Sequence, residues 1–344
     1  MKKAFAACIA ASVLSVNAMA EQAFMAPLVK ESVLLDVDAS EYVVIVGERG
    51  HILISSDGET FEQVEVPTQS TLTATTIQGD NVWAVGHDAV ILYSADRGKT
   101  WEIQNFEPDL QRPFLDVVFF NEQEGIAVGA YGLFYRTTDG GTTWKSERHA
   151  SLLAPMDREY LEDIKEQDPD FYQQELNSIL PHINRVTPQD GILYLAGEAG
   201  LLAYSENGGR EWVRYEVDYT GSFFDIRPLD NETLLAVGLR GNMFVMRDDA
   251  WEYVNTCSTS TLNSVFVASD ERVVAMGNNG MLVSAKRPLP VSEHDPYAST
   301  SRCEPAKGIN TRQVDDKAAL LNAVQFKGNT IAVSANGIKI MNLK

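Results

Sequence analysis

Two stretches of this chain set an acid, a glycine and a tryptophan at fixed spacing: Ser94 to Trp101, reading SADRGKTW, and Thr137 to Trp144, reading TTDGGTTW. Weaker copies run from Ser55 to Phe61 and from Ser205 to Trp212. The chemistry this pattern suits is that of a hairpin turn. Asp96 or Asp139 accepts backbone N–H groups, Gly98 or Gly141 takes positive φ, and the aromatic packs away from water. A calcium loop is the competing reading, but calcium takes about six to eight oxygen ligands, and each copy offers few acids. These Asp-boxes therefore predict turns that stabilise a fold.

Other reactive groups are sparse. His51, His87, His149, His182 and His294 show no metal-ligand spacing, and neither a Gly-x-Ser-x-Gly elbow nor a phosphate-cradling loop is present, so no metal or cofactor is expected. A sialidase-like glycosidase shares Asp-boxes and is the alternative function. It needs a tyrosine nucleophile with a carboxylate partner, an acid/base carboxylate and three arginines gripping the substrate's carboxylate. Its Phe/Tyr-Arg-Ile-Pro signature is absent, and the nearest string, Asp225-Ile226-Arg227-Pro228, has the wrong order. Only Tyr131, Arg49 and Arg240 would be left to converge. The expectation is a protein without chemistry of its own.

The elements that position these residues emerge from a repeat. A run of apolar residue, Val or Ala, Gly, two variable residues, Gly and a second apolar run returns as VGERGHILIS, VGHDAVILYS, VGAYGLFYRT, AGEAGLLAYS, VGLRGNMFVM, MGNNGMLVSA and VSANGIKIMN. Its first glycine falls at Gly47, Gly86, Gly129, Gly197, Gly238 and Gly277, with Ser334 in the last copy, in steps of 39, 43, 68, 41, 39 and 57 residues. Alternating apolar segments such as LDVVFF precede each copy, and a fourth strand begins at each Asp-box aromatic. Four short antiparallel strands per repeat make a propeller blade, and seven repeats make a seven-bladed all-β propeller. The last repeat, Leu320 to Lys344, supplies three strands, which leaves an open edge. Residues Ala23 to Lys30 have no other assignment, so the N-terminal strand is expected to complete blade seven.

The two long steps are insertions. Residues 146–181 hold nine acids against three bases and predict two short helices, with Asp168 as cap and Pro169 in the first turn. This acidic helical insertion suits a lid or a docking arm. Residues 286–317 lack a period and predict a loop. Strand alternation places A–B and C–D turns, with the Asp-boxes, on one end of the ring. The other end collects both insertions and the variable pairs Glu48 and Arg49, His87 and Asp88, Ala130 and Tyr131, Glu198 and Ala199, Leu239 and Arg240, and Asn278 and Asn279. Phe223 and Phe224 enter blade five there, and one of them must face away from the buried side. Partner binding is expected on this end.

Lys2, Lys3, the apolar run AFAACIAASVLSV and Ala18-Met19-Ala20 read as a signal peptide of residues 1–20, cleaved before Glu21. Cys8 follows Phe5-Ala6-Ala7 as in a lipoprotein box, but few apolar residues precede it. Residues 21–344 then form the propeller, in the periplasm and without membrane insertion. Losing two lysines takes the formal charge from −20 to −22, which argues against nucleic acid or an anionic membrane as partner. Cys257 and Cys303 form one disulfide or remain two buried thiols.

The grammar A-V-G-x-x-G-x-I-x-x-S-x-D-x-G-x-T-W, clearest in blades two and three, and the seven-unit count resemble the Ycf48/HCF136-like photosystem II stability and assembly factors, whose bacterial members carry BNR repeats. The resemblance covers nearly all of the mature chain. It implies a non-catalytic assembly factor that holds a membrane protein or envelope complex, itself a monomer in isolation. Photosynthetic members use an arginine-rich surface, whereas this chain is acidic with scattered arginines. Relatives outside photosynthetic organisms accompany resistance-nodulation-division transporters, so the resemblance implies an envelope complex of that kind as client.

Overall fold

The computed structural model describes residues 21–268, 272–292 and 303–341. The expected signal peptide lies outside them, as do His294 and the middle of the second insertion. Seven antiparallel sheets follow one another along the chain, six of four strands and the last of three, each in simple sequence order. The innermost strands are Leu34–Ala39, Leu72–Gln78, Phe114–Phe119, Ile183–Gln189, Phe223–Pro228, Leu262–Val267 and Leu320–Phe326. The chain is a seven-bladed propeller.

Packing explains why seven sheets make one body. Seven apolar clusters form, and each joins the facing sides of two neighbouring blades. Blade five meets six through Leu235, Val245, Leu262 and Val283, and blade two meets three through Trp83 stacked on Phe119 at 3.5 Å. Strands this short cannot bury both faces alone, so stability comes from neighbours. Ring closure lies in the cluster where Leu34, Val37 and Phe61 of blade one meet Phe326, Ile331 and Val333 of blade seven.

Closure does not use an N-terminal strand. Residues 27–31 form a turn and a short 3-10 helix, Val29–Glu31, and blade seven keeps three strands among the described residues. Ala23 N donates to Val66 O at 2.8 Å and Ala26 N to Gln63 Oε1 at 2.9 Å, which ties the segment to blade one. Pro27 has no N–H to give a ladder, and the helix that follows packs on the last strand of blade seven through Val29 and Ile338. The segment buttresses the joint without extending the sheet.

The first insertion forms the two expected helices, α1 at Pro155–Gln167 and α2 at Pro169–Ile179. Asp168 caps α2, its Oδ1 accepting Phe171 N at 3.0 Å. Leu153, Leu161, Leu176 and Leu180 form the hairpin's own small core. The second insertion is a correction. It lies inside blade six, not between blades, because Asn310–Gln313 pairs with Met281–Lys286 as that blade's outer strand. It therefore leaves from the Asp-box end. Its described flanks run along blade five, with Ser292 N on Tyr253 O and Ala306 N on Asn255 O, both at 2.9 Å.

Candidate functional site

The glycine repeat builds one end of the ring. Arg49, Asp88, Tyr131, Ala199, Arg240 and Asn279 all have φ between 53° and 59°, and the residue after each is also left-handed. With the amide two residues beyond each donating back across the turn at about 3 Å, these are type I′ hairpin turns. The second glycine suits that backbone, and a Cβ on Gly200 or Gly241 would meet the carbonyl of Tyr219 or Ser258 at 2.0 or 2.1 Å. Blade two manages with Ala89 at φ 48°. The first glycine is extended, so its reason is close approach: a Cβ on Gly86 would stand 2.0 Å from Thr71 O.

This geometry sorts the expected partner-binding residues. In three pairs the first member turns inward to hold the entry to the innermost strand: Glu48 accepts Val33 N at 3.2 Å, Glu198 accepts His182 N at 3.1 Å, and Asn278 accepts Asn263 Nδ2 at 3.1 Å. Asp88 accepts the Ser70 hydroxyl and is half-buried. His87, Arg49, Tyr131, Arg240 and Asn279 are exposed. Phe223 is fully buried against Tyr219 and Phe244, so of the two phenylalanines only Phe224, half-buried, lies outside that core.

The helical arm stands on the same end. Gly132 N donates to Pro181 O at 3.0 Å, Leu180 covers Gly132, and Arg112 reaches Asn177 O at 3.0 Å while lying over the Tyr131 ring. Arg214 of blade four donates to Leu152 O at 2.8 Å. Met156 and Tyr160, one helical turn apart on α1, are 82% and 49% exposed beside Asp157, Glu159 and Asp163. This is an acidic surface with apolar points. Tyr131 has a guanidinium and, edge-on at 4.5 Å, the His182 ring as its neighbours. A tyrosine nucleophile needs a carboxylate in that place.

The opposite end is occupied by the Asp-boxes. Asp96 Oδ1 accepts Lys99 N at 3.0 Å, Thr100 N at 2.8 Å and Ser94 Oγ at 2.8 Å, and Oδ2 accepts Thr100 Oγ1 at 2.7 Å. Asp139 repeats this with Thr143 and Thr137. Burial works against ionisation of Asp96, but this set of donors outweighs it and holds the carboxyl at about 2. Trp101 packs between blades one and two and Trp144 between two and three. The carboxylate oxygens are engaged within their own turns, as a structural role requires. Cys257 and Cys303 are joined across 5.6 Å between Cα atoms, pinning the second insertion to the blade five to six connection.

One constellation was not singled out from the sequence. The third residue of each innermost strand is Asp36, Ala74, Asp116, Arg185, Asp225, Ser264 and Asn322; Ala74 packs between blades two and three, while Asp36, Asp116, Asp225 and Asn322 gather with Arg185. Three aspartates accept an amide from a later blade: Asp36 from Thr75 at 3.0 Å, Asp116 from Val186 at 2.7 Å and Asp225 from Val265 at 2.8 Å. Asn322 donates to Asp36 at 2.6 Å across the ring closure. The Arg185 guanidinium lies 3.5 Å from Asp116, 3.8 Å from Asp36 and 4.0 Å from Asp225. Burial, only partly offset by Arg185, pushes Asp36 up and holds Asp116 at about 6, and burial likewise holds Asp38, two residues along from Asp36, at about 6. The recurring polar residue in LLDV, FLDV, FFDI, LNSV and LLNA is the signal that was there to find.

Comparison with known proteins adds similarity to geometry. Residues 17–112 match the family described as photosynthesis system II assembly factor YCF48. The photosystem II assembly lipoprotein Ycf48 of Prochlorococcus marinus is 27% identical over 174 residues, 44% of this chain and 51% of that protein, so the chain spans about half the length of that curated relative. YCF48 from Cyanidioschyzon merolae superposes with a TM-score of 0.64 at 20% identity, over 93% of this chain and 97% of the other. A structure of YCF48 bound to D1 peptide gives 0.61 at 14% identity, over 90% and 93%. At these identities the solved structures carry the fold, while the family match and the curated relative show that parts of this chain are similar to the Ycf48 proteins.

Proposed function

We propose that this chain is a non-catalytic propeller that holds a membrane protein or an envelope complex as an assembly or stability factor. It is exported through a signal peptide cleaved after Ala20 and works in the periplasm. The observation that carries the reading is the division between the two ends. The Asp-box end spends its polar groups on its own turns, whereas the other presents His87, Arg49, Tyr131, Arg240 and Asn279 on rigid hairpins beside the acidic arm. Rigid elements that display exposed polar and aromatic groups suit recognition.

The similarity to Ycf48 supports an assembly role, and the similar structure bound to D1 peptide supports a membrane protein as client class. The acidic arm favours a basic surface on that client. A transporter of the resistance-nodulation-division type is the client proposed here. Affinity purification from solubilised envelopes, comparing wild type with Arg49, His87 and Arg240 all changed to alanine, tests this reading. Wild type is expected to retrieve a membrane protein that the triple variant loses. Identical retrieval by both would overturn the assigned face, and release of 4-methylumbelliferone from a sialoside by the pure protein would overturn the absence of chemistry. Recovery of a mature chain beginning at Glu21 from the periplasmic fraction checks export.

A further inference from the structure

The axial cluster is unbalanced in charge and incomplete in hydrogen bonding. Asp36, Asp38, Asp116 and Asp225 face Arg185 and Arg227, four carboxylates against two guanidiniums. None of the three contacts from Arg185 to the ring aspartates is a hydrogen bond, and its Nε meets no acceptor among the described residues. Asp225 is fully buried, and its Oδ1, 4.0 Å from Arg185 Nε, has no donor among the described residues. Ser264 Oγ, at the equivalent position of blade six and 1% exposed, has no partner among the described residues either. A buried carboxylate oxygen without a donor keeps the full cost of losing its water, so the cluster is poised for one more donor or a rearrangement that supplies one.

A cavity of about 290 Å³ leads to it. Its walls include Asp36, Asp38, Thr76, Gln78, Asp116, Arg185 and Arg227, residues from the middle and far half of the innermost strands. It therefore opens on the Asp-box end, away from the face proposed for the client. We propose that this cavity is a binding site for a primary alkylammonium group, entering along the ring axis from the Asp-box end. The ammonium donates to Asp38 and Asp116 at the cavity wall, and Arg185, repelled by the new cation, moves the short distance that brings Nε onto Asp225 Oδ1. Occupation brings the four carboxylates to three cations and satisfies the orphaned oxygen in one step.

The chemistry of the site favours an ammonium over a metal ion. Among the described residues no three His, Cys, Asp or Glu side chains stand in a metal-holding group. The aspartates already accept backbone amides, Asp38 and Asp116 through both oxygens and Asp36 and Asp225 through one, so an ion requiring about six oxygens would find too few. An alkylammonium carries three donors on a narrow stem. The chain's net charge of −20 also draws cations toward it.

Two sources carry this group, a free polyamine and a lysine side chain of a polypeptide, and both are used as probes. Calorimetric titration of the mature protein with cadaverine and with the tripeptide Gly-Lys-Gly is the experiment. Saturable binding is expected for at least one probe, weakened at least tenfold in Asp38→Asn and Asp225→Asn. It should be unchanged in Glu232→Gln, which removes an exposed charge from the same end. Cadaverine alone binding identifies a polyamine site, and the tripeptide binding as tightly identifies a lysine site. No saturable binding by wild type, or equal weakening by Glu232→Gln, overturns the proposal. If Asp225→Asn does not fold, Asp38→Asn decides, because Asp38 is partly exposed at the cavity wall. The client face lies at the other end, so failure here leaves the assembly reading standing.

Discussion

At the scale of single residues, burial sets an unusual pH response. Asp116 and Asp38 titrate at about 6 in the folded chain against 3.8 for an ordinary aspartate. Between those values the folded state keeps protons that the unfolded state has released, so stability is present below about 4 and is lost as pH rises through 6. Asp96, held at about 2 by its turn, behaves oppositely, since its contribution is present above 3.8 and lost only in strong acid. The thermal midpoint should therefore rise as pH is lowered from 7.5 to 5 and fall below about 3. In Asp116→Asn the rise should shrink by an amount on the order of 1–3 kcal/mol, measured by calorimetry across that range. A midpoint that falls steadily from pH 7.5 to 5 in wild type sinks this account.

The same residues mark where sequence reading stops. The repeat glycines were legible because they recur in a fixed frame and because close approach forbids a Cβ. Gly86→Ala is expected to cost about 2 kcal/mol or more, since the new methyl would press on Thr71 O from an otherwise unstrained backbone. Equal thermal midpoints for the two proteins would contradict it. The axial ring was equally periodic but hidden. A polar residue within an alternating strand reads as solvent-facing, and only closure of seven strands about an axis turns Asp36, Asp116, Arg185 and Asp225 toward one another.

Elements show the same division between local and assembled signals. The helices of the arm were legible because Asp168 and Pro169 act within one turn of chain. The outer strand Asn310–Gln313 was not, because all four of its residues are exposed and offer no apolar alternation. The N-terminal segment was placed by elimination, and elimination cannot see that Gly337 makes room for the carbonyl of Lys30. The Asp-box turns belong to the structural half of the molecule. Asp139→Ala removes the three hydrogen bonds that its carboxylate accepts from Thr137 Oγ1, Thr143 N and Thr143 Oγ1 and should lower the thermal midpoint while client retrieval stays intact. Loss of retrieval at unchanged stability would reassign that end to binding.

For the whole molecule, a ring has no terminal blade to fray so long as its joint holds. That joint is the lightest in strands, because blade seven has three among the described residues where the other blades have four. It depends on Asn322 bonded to Asp36 and on Phe326, buried at 5% exposure against the Gly58 turn of blade one. Opening it would leave the two blades with one apolar side each in water, and every other interface would then be reached from a free end. Phe326→Ala is expected to cost about 3–5 kcal/mol. The comparison is with Phe244→Ala, also a phenylalanine-sized cavity, made between blades four and five. Hydrogen exchange should report the difference, since a weakened joint speeds exchange in blades one and seven before the rest, whereas the interior cavity leaves them protected. Uniform acceleration around the ring in both variants would show that closure is no more vulnerable than any other interface.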